Sequence, residues 1–256
     1  MQRIEIWALT SGGKDSMTTA HLLDSKGLLD GCLIIDTGIN APDWLDWMKA
    51  HLTYRYEITR TSEHFEEIVR KYGFGRPDSH NIYFNDLKEH AIQAWRRKIK
   101  AEGREAIVAT GVRKLEERHK GKFNRRRFKN TKEVGKLGGF WAIAPIYNWT
   151  TARVWAYVTE NRVEVYPNLG GLPPDCFCGC FTERGERRAM KRLYPFAEAR
   201  IRALEIEVGG VWGNKNLPRH LRRDKNQSTF CEETGCLLEA IKAPETVEPS
   251  AQRSPS

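Results

Sequence analysis

The first half of the chain alternates short continuous apolar runs with segments whose apolar residues recur at helical spacing. Residues 4–9 (IEIWAL) and Gly31–Asp36 (GCLIID) are too short for buried helices, and the second is rich in β-branched residues, so both read as strands. Between them, residues 17–23 read as a helix. Trp44, Leu45, Trp47 and Met48 then repeat at helical spacing, and residues 54–58 predict a third strand. Residues 64–72 and 87–100 are amphipathic helices, 105–110 (EAIVAT) is a fourth strand stopped by Gly111, and 140–146 (FWAIAPI) is a fifth, followed by a helix over 150–159. Strands that are apolar throughout, separated by helices, imply parallel pairing with both faces covered. The expected fold class is α/β, a doubly wound, mostly parallel five-stranded sheet.

From about Val163 the alternation stops. Pro167, Gly170, Gly171, Pro173 and Pro174 mark a loop that ends in cysteines, and helical patterns follow over 183–193 and Pro195–Val208. Residues 243–256 have the Pro/Ser/Glu composition of a disordered end. The expected division is therefore a nucleotide-binding α/β domain over 1–162, a cysteine-rich helical C-terminal appendage over 163–242 and a disordered tail over 243–256.

Between the first strand and its helix stands Thr10-Ser11-Gly12-Gly13-Lys14-Asp15-Ser16. Paired glycines let a backbone approach an anion, and helix-start N–H groups point at it. Lys14 adds a point charge, and Ser11 and Ser16 add hydroxyl donors. The G-x-x-x-x-G-K-[ST] spacing of a Walker loop is absent, and an ordinary Gly-Gly turn is the alternative. Asp15 suits either the electrostatics of a helix start or Mg²⁺ ligation. In parallel sheets ligands sit beyond the strand C-termini. Asp36-Thr37-Gly38 and Gly111-Val112-Arg113 follow such ends and should meet the first loop at one crevice. There Asp36 suits ribose or adenine polar groups, and Arg113 suits a phosphate clamped by its guanidinium fork.

Composition sharpens the partner. Lys and Arg total 42 against 33 Asp and Glu, a formal charge of +9 that favours polyanions. Residues 118–132 (RHKGKFNRRRFKNTK) hold eight of those cations with two phenylalanines: either a solvated loop or a surface for an extended polyanion whose bases stack. No apolar run approaches the roughly 18 residues of a membrane span. Met1-Gln2-Arg3 runs straight into a strand without a signal-peptide pattern, so a cytoplasmic location is expected.

Five of the six cysteines are late: Cys176, Cys178 and Cys180, then Cys231 and Cys236. In a cytoplasmic chain such spacing suits Zn²⁺ or an iron–sulfur cluster, each commonly held by four thiolates. The expected ligands are Cys176, Cys180, Cys231 and Cys236, with Cys178 spare, although Cys176 or Cys180 could be the spare instead. Cys32, inside GCLIID, reads as core.

Together, SGGKDS, Ile35 to Gly38 (IDTG), GVRKLEER from Gly111 and APIYNWTTARVWAYV from Ala144 resemble the phosphoadenosine phosphosulfate (PAPS) reductase family of the PP-loop, adenine nucleotide alpha-hydrolase-like superfamily. Where those reductases carry a C-terminal Glu-Cys-Gly-Leu-His, whose cysteine attacks sulfur, this chain has Glu233-Thr234-Gly235-Cys236-Leu237. Where they carry Glu-Ser after the arginine, it has Glu116-Glu117. Cysteine-clustered relatives resemble sulfur-inserting enzymes of DNA phosphorothioation and tRNA thiolation. The resemblance implies ATP and Mg²⁺, adenylylation of a nucleic-acid acceptor with pyrophosphate release, and sulfur from a donor such as a cysteine desulfurase. It favours a [4Fe–4S] cluster over zinc. Lys14, Asp15 and Arg113 are the expected catalytic residues, and Ser11, Gly12, Gly13, Lys14, Asp15, Ser16, Asp36, Thr37, Gly38 and Gly111 the expected nucleotide-binding ones. Thiol-dependent reduction of PAPS or adenosine phosphosulfate is the alternative.

Overall fold

The computed structural model describes residues 3–61, 64–76, 79–114, 134–137, 140–167, 172–182 and 185–213. The basic run over 118–132, Glu116, Glu117, Gly170, Gly171, Cys231, Cys236 and the tail lie outside the described residues.

Strands β1 (Ile4–Thr10), β2 (Gly31–Asp36), β3 (Tyr56–Arg60), β4 (Glu105–Ala109), β5 (Val134–Leu137) and β6 (Phe140–Ile143) form one sheet in the order β3-β2-β1-β4-β6-β5. Five of these are the strands expected from sequence, and all four pairings among them are parallel. The sixth, β5, was not expected. It pairs antiparallel with β6 at the sheet edge, with Lys136 opposite Trp141. Its sequence, VGKL, is short and interrupted by Gly135 and Lys136, so it offers no continuous apolar run.

Successive side chains along a strand point to opposite faces, and each face has its own core. Trp7, Leu33, Val108 and Ala142 pack under Ile92, Trp95 and Ile99 of α5 (His90–Ala101). On the other face Ala8 and Ile34 pack with Met17 and Ala20 of α1 (Lys14–Asp24), Trp44 and Met48 of α2 (Trp44–His51), and Val154 and Val158 from the helix Thr151–Glu160. Where both faces are buried neighbouring positions are apolar, which is why the middles of β1, β2 and β4 read as runs, whereas the edge strand β3 (YEITR) alternates exposed and half-buried positions.

The helix expected at 87–100 begins earlier. Helix α3 (Phe65–Tyr72) is followed by α4 (His80–Phe84), a π-helical turn (Asn85–Glu89) and then α5. Polar Asn81, Asn85 and Asp86 obscure the period there, although Asp86 and Leu87 are both buried. Thr151–Glu160 is α6, and α7 (Glu186–Leu193) and α8 (Pro195–Val208) close the described chain. Phe177, Cys180, Met190, Ile201, Leu204 and Trp212 join the same core as Ala8 and Ile34. Among the described residues, no helix is long and apolar enough to cross a membrane.

Candidate functional site

The loop from β1 to α1 is built by its own residues and by two long-range contacts. Gly12 has φ +76, a conformation that favours glycine. A Cβ there would lie 3.0 Å from Tyr166 Cβ and 3.1 Å from Met48 Sδ. Tyr166 N donates to Gly12 O (2.8 Å), and Trp44 Nε1 donates to Ser11 O (2.8 Å). Inside the loop the Ser16 hydroxyl donates to Gly13 O (2.9 Å) and accepts from Ser11 N (3.1 Å). Helix geometry leaves the first N–H groups of α1 without an intrahelical acceptor, and Lys14 stands over that turn. A donor-rich loop of this kind at a helix start is suited to the phosphates of a nucleotide.

Gly111 sits directly behind the loop. A Cβ on it would come within 2.6 Å of the Asp15 carbonyl carbon and 2.8 Å of Ser16 N, so only glycine allows β4 to end against the start of α1. This close approach carries Arg113 to Asp15, with Nε 2.8 Å from Oδ1. Lys14 Nζ holds the other oxygen, Oδ2, at 2.7 Å. The Arg113 side chain is only 3 % exposed and also donates to Thr151 Oγ1 at 3.2 Å. The structure thus brings Lys14, Asp15 and Arg113 together, but the guanidinium grips Asp15 from below instead of opening onto the crevice. With both carboxylate oxygens on cations, Asp15 does not fit a Mg²⁺ site in this arrangement.

The Asp36-Thr37-Gly38 turn lies at the end of the neighbouring strand. Asp36 accepts Gly38 N at 2.9 Å through Oδ1, and its Oδ2 accepts the Arg60 guanidinium. The hydrogen bonds of an ordinary turn therefore account for this carboxylate, and a ribose would have to compete with Arg60. The Thr37 hydroxyl has Asn40 Oδ1 at 2.9 Å and Asp175 O at 3.0 Å as acceptors.

That last contact introduces what sequence reasoning missed: the cysteine loop docks on the turn after β2. Ala41 N donates to Pro174 O (2.8 Å) and Phe177 N to Ile39 O (2.7 Å). Trp212 Nε1 anchors the far side through Phe177 O at 2.6 Å. Thiols Cys176, Cys178 and Cys180 line a cavity of about 260 Å³ that also receives Lys88 and Asp175, an ion pair at 2.7 Å. Cys178 is hydrogen-bonded to both neighbours. Its hydrogen bond with Cys176 pulls its pKa down, but that with Cys180 and burial outweigh this and push it up to about 12. The hydrogen bond with Cys178, and then burial, raise Cys176 well above the usual thiol range, against the opposing pull of Lys88. For Lys88 burial acts downward, and Asp175 with the nearby thiols outweighs it, so the ammonium is held charged. Burial raises Cys32 to about 12, which suits a core residue. The sulfur donors have the softness that zinc or iron prefers. Among the described residues, however, no three His, Cys, Asp or Glu converge as a metal site, because the three thiols run as a chain.

The family model of the phosphoadenosine phosphosulfate reductase domain matches residues 5–169. Among solved structures, the PAPS reductase of Candida auris in its phosphate complex is similar at 23 % identity over 64 % of this chain and 75 % of that one, with TM-score 0.44. The U34-tRNA thiolase of Methanococcus maripaludis with its [4Fe–4S] cluster is similar at 13 % identity over 92 % and 82 % of the two chains, with TM-score 0.43. No curated protein matches the chain.

Proposed function

The chain belongs to the phosphoadenosine phosphosulfate reductase domain family of the PP-loop superfamily, and from that premise we propose that it uses thiols to reduce an adenylylated sulfate, PAPS or adenosine phosphosulfate. The observation that carries the reading is the hydrogen-bonded docking of the cysteine loop on the turn after β2, beside the phosphate loop. Nucleotide phosphates on residues 11–16 would hold the sulfuryl group towards the thiols.

Reduction of the hexavalent sulfur to sulfite takes two electrons. A thiolate displaces the nucleotide phosphate oxygen from sulfur, forming an S-sulfonated cysteine while the nucleotide leaves with the S–O electron pair. A second thiol attacks that cysteine sulfur, sulfite leaves, and a disulfide remains, with both thiol protons released. Adjacent thiols such as Cys176 and Cys178 satisfy this stoichiometry; both are held protonated in the nucleotide-free protein, so the attacking thiol must lose its proton as substrate binds, and Lys88 is the nearby cation that opposes the upward shift of Cys176. Lys14 binds phosphate, and Arg113 is a positioning residue that fixes Asp15 and the start of α1.

A second reading, ATP-dependent sulfur transfer to nucleic acid, is supported by the charge of +9 and the basic run over 118–132. Lys14 and the loop N–H groups would then neutralise leaving pyrophosphate, and a cysteine desulfurase would supply sulfur. Under this second reading, a [4Fe–4S] cluster on Cys176, Cys180, Cys231 and Cys236, with zinc as its competitor, would occupy the thiols that the reductase reading leaves free for attack. Its support is the thiol count and the sequence resemblance.

Purified protein assayed in parallel decides between the two reactions. Sulfite released from PAPS or adenosine phosphosulfate with a dithiol supports the reductase. Pyrophosphate released from ATP only when tRNA or DNA is added, without sulfite, overturns it in favour of transfer.

A further inference from the structure

At the other end of the sheet, where the strands begin, β6 enters late. Its pairing with β4 starts at Val108↔Ala142, although β4 itself starts at Glu105. Beside the first residues of β4 this leaves a notch of about 490 Å³, within the range of ligand sites (about 300–1,000 Å³). Its floor is Ile107 and the half-exposed Ile4, and one wall is Trp141, 58 % exposed on β6. The other wall is the C-terminal half of α5, which turns Arg96, Arg97 and Lys100 towards the opening, all exposed. The whole length of β1 separates the notch from the phosphate loop, about 20 Å at strand rise, so this is a second site.

We propose that the notch binds single-stranded nucleic acid, with a base stacked on Trp141 and the flanking phosphates on Arg97 and Lys100. An exposed indole beside a row of cations is the combination that single strands use: the ring accepts any base face, and the cations follow the backbone. A duplex hides its base faces, and an acidic peptide has none to offer an indole. The proposal does not depend on the reductase reading, since a polyanion held here lies away from the thiols.

The test is anisotropy titration of labelled fifteen-residue oligo(U), oligo(dT) and duplex DNA across a salt series, with adenine-nucleotide binding measured on the same samples. Wild type should bind one or both single strands more tightly than the duplex, and the two single-stranded arms report any ribose preference. Arg97→Glu/Lys100→Glu should weaken binding at least tenfold and reduce the salt slope by about 0.7 per lost phosphate contact. Trp141→Ala should weaken single-strand binding roughly tenfold, Trp141→Phe should restore most of it, and duplex binding should not respond. Nucleotide affinity should stay at the wild-type value throughout, which shows that the variants fold. Wild-type failure to bind single strands at low salt, unchanged affinity in the charge-reversal variant, or equal loss of single-strand and duplex binding in Trp141→Ala would each overturn the proposal.

Discussion

Lys14 is the residue on which nucleotide binding should depend most directly, because it opens α1 and its ammonium is held beside the loop by Asp15 Oδ2 at 2.7 Å. Lys14→Ala should weaken adenine-nucleotide binding by about 1.5–3 kcal/mol, the usual loss for a charged hydrogen bond, with little change in stability; unchanged affinity by calorimetry would remove the loop from the binding site. Asp15→Ala should act differently, since it removes the carboxylate oxygen that accepts the buried Arg113 Nε at 2.8 Å. A cost near 3 kcal/mol is expected in denaturant unfolding, at the low end for breaking a buried pair because Asp15 keeps some solvent contact. SGGKDS was legible in the sequence because its geometry is local: two glycines, a strand before and a helix after. The partners of its side chains were not. Arg113 lies 98 residues from Asp15 and Arg60 lies 24 from Asp36, and spacing along the chain says nothing about which cation meets which carboxylate.

At the scale of elements, the junction between β4 and α1 tolerates no side chain. Gly111→Ala would drive a methyl into the backbone of Asp15 and Ser16, so it should cost roughly 1–3 kcal/mol as overpacking and also weaken nucleotide binding by tilting the start of α1. A stable Gly111→Ala protein with wild-type affinity would contradict that geometry. Strand pairing at the opposite end carries an acid-sensitive clasp. Arg104 hydrogen bonds hold the Glu5 carboxyl at about 2, below its ordinary 4.5. A depressed folded-state pKa stabilises above the unfolded value, and that contribution is lost as pH falls from about 4.5 towards 2. Glu5→Gln should therefore flatten this part of the acid unfolding curve and lower stability at neutral pH by about 1–2 kcal/mol, kept small by nearby solvent. The inner strands β1, β2 and β4 were readable because burial on both faces writes itself as apolar runs, whereas the edge strand β3 shows as an alternation. The edge strand β5 is four residues long with Gly135 and Lys136 inside it, and the helix before α5 is polar where it passes through a π turn, so neither leaves such a pattern.

For the whole molecule, the metal proposal has a direct test. Anaerobic protein should carry iron and sulfide, and single Cys→Ala variants at Cys176, Cys180, Cys231 and Cys236 should lose the broad visible absorption that Cys178→Ala retains. Stoichiometric zinc without iron would replace the cluster with a structural site. The sequence pointed to the cysteine-rich segment as a unit but not to where it sits, because its attachment rests on main-chain hydrogen bonds, which any residue type can make. Those bonds have a further consequence. Since Thr37 and Ile39 hold the cysteine loop in place from the turn after β2, a nucleotide that reshapes that turn alters the free energy of the thiols, and thermodynamic reciprocity then requires the converse. In protein free of a cluster, reversible disulfide formation at Cys176 should shift nucleotide affinity by the same factor by which bound nucleotide shifts that redox equilibrium, so the redox state of the surroundings is read out as occupancy of the phosphate loop.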